Sequence, residues 1–220
     1  MMGSSRASIR QSRAGHVLAA FCLVFSGCSA PATKPTTDPN EIVEAALQVV
    51  SADHIFGGPV CFDPLLRGAG LEKFGDTLRL AREEPSLRPI VDRIYAGQAI
   101  DWVAPVSDGK FFTPLDEALK RRLAGPFAAV LARQHSNMPP VQRVRSDFIP
   151  DSLLYQLGAT LADPNCAAVV TISAPSIEGD FAFLEVEQRC GPTCGVGSIL
   201  AFQHNASGWV VVGWAETWVS

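Results

Sequence analysis

The 220-residue chain has no apolar run of the roughly 20 residues that a membrane-spanning helix needs; HVLAAFCLVF, residues 16–25, is too short. It also lacks any basic excess, with 18 lysines and arginines against 22 acidic residues and a net charge of −4. Scattered arginines in an acidic chain exclude nucleic acid as an electrostatic partner. No Gly-x-Ser-x-Gly elbow, P-loop or dinucleotide fingerprint is present, so nucleophilic and nucleotide chemistry have no local support. His54, His135 and His204 are scattered without i, i+4 pairing, and no second cysteine pair has zinc-finger spacing. On these grounds no catalytic residue, metal or cofactor is assigned.

At the N-terminus, Arg6, Arg10 and Arg13 precede the short apolar run, the arrangement of a secretory signal. It ends in Phe25-Ser26-Gly27-Cys28, which resembles the bacterial lipoprotein lipobox, with Phe25 where leucine is usual. The resemblance implies a signal peptide over 1–27 and a lipidated Cys28 that anchors the mature chain in a membrane. Ser29, rather than Asp, after that cysteine implies passage to the outer membrane, facing the periplasm. The competing reading is ordinary signal-peptidase cleavage nearby with Cys28 a bystander. The next residues, SAPATKPTTDPN, have no apolar periodicity and suit a Pro/Thr-rich tether over 28–40, followed by one domain over 41–220. Loss of the three arginines leaves 15 basic against 22 acidic residues, a net charge of −7.

Of six cysteines, Cys22 leaves with the signal and Cys28 carries lipid, so Cys61, Cys166, Cys190 and Cys194 remain in an oxidising compartment. Four cysteines allow three pairings. Spacing favours Cys190 with Cys194, which leaves Cys61 for Cys166. The stretch Cys190-Gly-Pro-Thr-Cys194 resembles the redox-active Cys-Gly-Pro-Cys of thioredoxins, yet Thr193 adds a residue and the flanks read as strands instead of strand then helix. A disulfide staple across a hairpin is therefore expected. Gly191, Gly195 and Gly197 are expected to supply positive φ angles and bulges there, with Cys190 on the parity of core-facing Ala182, Leu184 and Val186.

The element pattern changes midway. Asp38, Pro39 and Glu41 signal a helix start before Ile42, Val43, Ala46, Leu47 and Val50. A short strand is expected at Pro59–Phe62, a helix from Leu71 toward Pro85, and another from Leu87 to Gly97. A hairpin is expected around Asp108-Gly109, with residues 100–103 on one side and Phe111-Phe112 on the other. Thr113-Pro114-Leu115-Asp116 should open a helix that Gly125-Pro126 interrupts, and Asp151 should cap a short helix through Leu161. From Cys166 onward, AAVVTIS, FAFLEVEQRC, GSILAFQH and WVVVGWAETWV read as strands separated by turns. In the second of these, Glu185, Glu187 and Arg189 should form a wet face. The last run, apolar on both parities, should be central or doubly covered.

Helices followed by strands predict an α+β fold, with N-terminal helices packed on a C-terminal four-stranded antiparallel meander. In order and content it is similar to NTF2-like or cystatin-like folds. Residues 190–220 also resemble the C-terminus of uncharacterised secreted or lipid-anchored bacterial proteins. Cys190, Gly191, Cys194, Gly195 and Gly197 match a Cys-Gly-x-x-Cys-Gly-x-Gly hairpin, and Trp209 and Trp218 lie in the closing strand. That resemblance implies no activity. Strand alternation puts Trp214, Glu216 and Trp218 on one face, a candidate pocket for a cation or sugar ring, against the alternative of a core strand with Glu216 at its rim. The function these readings favour is a non-catalytic envelope module that binds another envelope protein or a small ligand. The alternatives are an enzyme with a pocket between sheet and helix, or a thiol–disulfide protein using Cys190 and Cys194.

Overall fold

A computed structural model describes residues 38–52, 58–105, 113–133 and 143–220. Cys28, His54, His135 and the turn expected at Asp108-Gly109 lie outside these residues. Among the described residues are four α-helices and a mixed seven-stranded sheet. Helix α1 (Pro39–Ala52) starts where its cap predicts: the Asn40 N–H donates to Asp38 Oδ1 at 2.9 Å. Its stripe of Ile42, Val43, Ala46, Leu47 and Val50 is buried, each larger side chain contributing roughly 1.5–3 kcal/mol. Helices α2 (Glu72–Glu83) and α3 (Arg88–Tyr95) lie where expected, though only Val91 of α3 is buried, and Leu87 and Ile90 are exposed. Gly97 takes φ +70° and lies against the backbone of Ala124, where any Cβ would collide.

Helix α4 (Glu117–Arg133) differs from its expectation twice. Its start is capped by Asp116, whose Oδ1 accepts the N–H groups of Ala118 at 2.9 Å and Leu119 at 3.2 Å. Thr113 instead belongs to an extended segment, since the Ala104 N–H donates to its carbonyl at 2.8 Å. The helix also runs straight through Gly125-Pro126. Leu123, Phe127, Val130 and Leu131 are all buried, so packing on both sides outweighs the lost backbone bond.

The strands are β1 (Val60–Phe62), β2 (Leu153–Tyr155), β3 (Ala168–Ile172), β4 (Ser176–Glu178), β5 (Phe181–Gly191), β6 (Cys194–Asn205) and β7 (Gly208–Val219). Their order is β2-β1-β3-β5-β6-β7, with β4 also paired to β5. The expected antiparallel meander is present as β3, β5, β6 and β7, but it is part of a larger, mixed sheet because β1 pairs parallel with both β2 and β3. The helix expected after Asp151 is replaced by β2. Its residues find backbone partners on β1, and the Gln156 N–H continues the pairing by donating to the Phe62 carbonyl at 3.1 Å.

Both faces of the sheet are covered. Ala182, Leu184 and Val186 of β5 join Leu200, Phe202 and the stripe of α1 in one cluster. Phe181 and Phe183, on the opposite parity, join Ile199, Ala201, Leu123 and Phe127 in another. Trp102, Phe127 and Phe183 meet there, with ring centroids 5.5–6.2 Å apart. The wet face expected on β5 is therefore dry over much of its length, since α2–α4 lie on it. Strand β7 is doubly covered but ends the sheet order rather than lying at its centre.

Candidate functional site

The site begins with an incomplete helix start. Ahead of α2, Gly70 at φ +51° lies close against Ser176, and Leu71 at the cap position has no side-chain oxygen to offer the first N–H groups. Glu185 of β5 supplies it. Its Oε1 accepts the Phe74 N–H at 2.5 Å and its Oε2 accepts the Lys73 N–H at 3.3 Å. Ser173 braces the arrangement, its hydroxyl donating to the Gly70 carbonyl at 2.6 Å and accepting the Glu185 N–H at 2.8 Å. Burial is the main influence on Glu185 and pushes its pKa up to about 7, against the pull of the two backbone N–H groups and of Lys73.

One pleat further along the same face, Glu187 is held by Lys73 Nζ at 2.8 Å and by Arg189 Nε at 3.6 Å, both on its Oε2. The Arg189 guanidinium lies 5.4 Å from the centre of the Trp218 ring. That indole rests on Gly195 and Gly197. A Cβ at Gly197 would collide with the indole Nε1, and one at Gly195 would lie 2.8 Å from the Gln188 carbonyl. The expected positive φ angles occur at neither glycine, nor at Gly191. These residues are small to admit an indole, not to turn the chain.

Two adjoining cavities flank this network. One, about 260 Å³, lies between Phe74 and Thr77 of α2 and the strand residues Glu185, Gly197 and Trp218. The other, about 370 Å³, is bounded by Arg67, Thr160 and Thr171, and the two share Lys73, Glu187 and Arg189. Arg67 is fixed by the fully buried Asp63, whose Oδ2 it contacts at 2.5 Å and whose Oδ1 also accepts the Leu65 and Gly158 N–H groups at 3.2 Å. The result is a groove with a polar floor at the start of α2.

Of the expected Trp214–Glu216–Trp218 trio, the structure keeps only part together. Trp214 pairs with Leu200 and Glu216 with Ser198, but Trp218 pairs with Gly197, because a bulge at Thr217 reverses the alternation. Trp214 is buried in the cluster under α1, Glu216 is exposed, and Trp218 faces the groove on the opposite side of the sheet. Sequence reading missed Glu185, Lys73 and the groove itself. The available signal was negative: a helix preceded by Gly68-Ala69-Gly70-Leu71 has no cap of its own and needs an acceptor from elsewhere.

Cys61 is paired with Cys166, Cα atoms 5.4 Å apart, tying β1 to the segment that enters β3. Cys190 is paired with Cys194, Cα atoms 5.1 Å apart, across the two-residue turn Pro192-Thr193 between β5 and β6. Cys190 falls in a register shift between Arg189 and Gly191 and is half-buried, so it does not continue the core parity of Val186. Both of its flanks are strands, β5 and β6, rather than a strand and a helix. Among the described residues no three His, Cys, Asp or Glu side chains gather as a metal-binding group, and no helix is long and apolar enough to cross a membrane.

Fold and site together define a disulfide-bonded, mixed α/β domain with helices on both faces of its sheet and a charged groove at a helix start. No protein-family model, curated protein or solved structure matches the chain.

Proposed function

We propose that the protein is a non-catalytic binding module of the bacterial cell envelope, lipid-anchored through Cys28 at the outer membrane and facing the periplasm. The observation that carries the binding part is the groove, in which both carboxylates are committed to protein partners: Glu185 to the N–H groups of α2 and Glu187 to Lys73 and Arg189. Committed side chains shape a site but are poorly placed to move protons. The two disulfide pairs support an oxidising compartment, and the Arg-rich start, apolar run and Ser-Gly-Cys ending support the anchor. For the fold's finer kinship, α1 across the antiparallel strands supports the NTF2-like or cystatin-like comparison, whereas the helices on the other face depart from it.

A second reading, an enzyme, is favoured by one observation: Glu185 is a buried carboxyl whose pKa lies near 7 at the floor of a groove. Proton transfer would require it to release α2. Hydrogen exchange separates the two readings. Slow exchange of the Lys73 and Phe74 amides, with protection like that of the core strands, is expected of a cap, and fast exchange would favour the enzyme. The anchor is tested by fractionation. Wild type is expected in the detergent-extracted membrane fraction and Cys28→Ala in the soluble one, since several acyl chains give firm retention. A variant retained as firmly as wild type would defeat the lipoprotein reading.

A further inference from the structure

We propose that the groove binds a small organic anion, with the acid group, phosphate or carboxylate, between Lys73, Arg189 and Arg67 and the apolar body against Phe74 and Trp218. The proposal rests on the reading of the groove as a binding site. Charge is the first argument. The larger cavity sets three cations, Arg67, Lys73 and Arg189, against two carboxylates, Glu187 in its wall and the buried Asp63 behind Arg67, an excess of one positive charge in a chain whose acidic residues outnumber its basic ones. A local excess opposite in sign to the whole chain focuses anions rather than reflecting average composition.

Hydrogen-bonding capacity is the second argument. Lys73 and Arg189 both use a single oxygen of Glu187, at 2.8 and 3.6 Å, so one carboxylate serves two cations and their remaining donors stay available. Arg67 meets its buried partner Asp63 through one nitrogen, which leaves the rest of its planar fork for an oxyanion. Thr160 and Thr171 add hydroxyl donors to the same wall. The third argument is shape. The smaller cavity shares Lys73 and Arg189 but is closed by Phe74 and Trp218, and Gly195 and Gly197 seat the indole against the strand. An acid group and an apolar group therefore have adjoining places.

The test follows the Trp218 indole N–H resonance of the full chain, assigned with Trp218→Phe, during titration with phenyl phosphate, inorganic phosphate, benzyl alcohol or benzylamine. Phenyl phosphate is expected to shift it saturably, inorganic phosphate more weakly, and the neutral and cationic probes not at all. Lys73→Gln and Arg189→Gln should each weaken phenyl phosphate about tenfold, the size of a lost charge-assisted hydrogen bond. Glu187→Gln, which removes the competing carboxylate, should tighten it several-fold, a gain that a purely structural role does not produce. Arg67 is left intact because its loss would strand the buried charge of Asp63. Saturable binding of benzyl alcohol or benzylamine without phenyl phosphate would overturn the anion assignment and leave a binding groove. No saturable shift with any probe would overturn both.

Discussion

At the scale of single residues, Glu185 joins stability to pH. Its carboxyl has a pKa raised from 4.5 to about 7 by burial. Between these values the unfolded chain releases the proton while the folded chain keeps it, so stability present below pH 4.5 is lost as pH rises toward 7. The loss approaches about 3 kcal/mol, at about 1.4 kcal/mol per pH unit. Glu185→Gln should flatten this slope in denaturant titrations at pH 5, 6, 7 and 8. An unchanged slope would assign the titration to another group. Gly197 makes a second residue-level prediction. Gly197→Ala should cost about 1–3 kcal/mol through overpacking against Trp218, and much less in a Trp218→Ala background. Equal costs in both backgrounds would mean that the indole does not need the glycine.

Among the elements, those announced by local chemistry were legible in the sequence, and those decided by distant partners were not. Asp38 and the stripe of α1 carry both the start and the buried face of that helix, and the turns of the C-terminal run mark the meander. The strand at β2 was not legible, because three residues after a proline and an aspartate become a strand only through pairing with β1, more than 90 positions earlier. Pro126 misled because helix breaking is a local penalty, whereas Phe127 and Val130 are held by the sheet. The Trp214–Glu216–Trp218 face was misplaced for a related reason: one extra residue at Thr217 reverses parity, and no turn residue signals it. The Cys190–Cys194 pair closes a five-residue ring, so the double serine variant should stay folded and lose only about 2 kcal/mol. Catalytic reduction of insulin by the wild-type protein, lost in Cys190→Ser, would instead assign this hairpin a redox role.

For the molecule as a whole, the Cys61–Cys166 pair joins positions 105 apart in sequence and so restrains much of the unfolded chain. On loop-closure entropy it should stabilise the fold by about 5 kcal/mol, more than twice the hairpin staple. Serine at both positions should lower the denaturation midpoint accordingly, and a change no larger than that of the hairpin variant would mean that the unfolded chain is already compact there. The mixed sheet also dictates a sequence of events in time. Strands β5, β6 and β7 pair with neighbours a few residues away, whereas β1 must find β3 across about a hundred residues. Local pairings form fast and distant ones wait on loop closure. A chain emerging N-terminus first therefore carries β1 without either of its strand partners until β2, and then β3, have followed it, with Phe62 and Cys61 exposed meanwhile. Folding is expected to run backward along the chain, with the last strands assembling the template on which the first one docks.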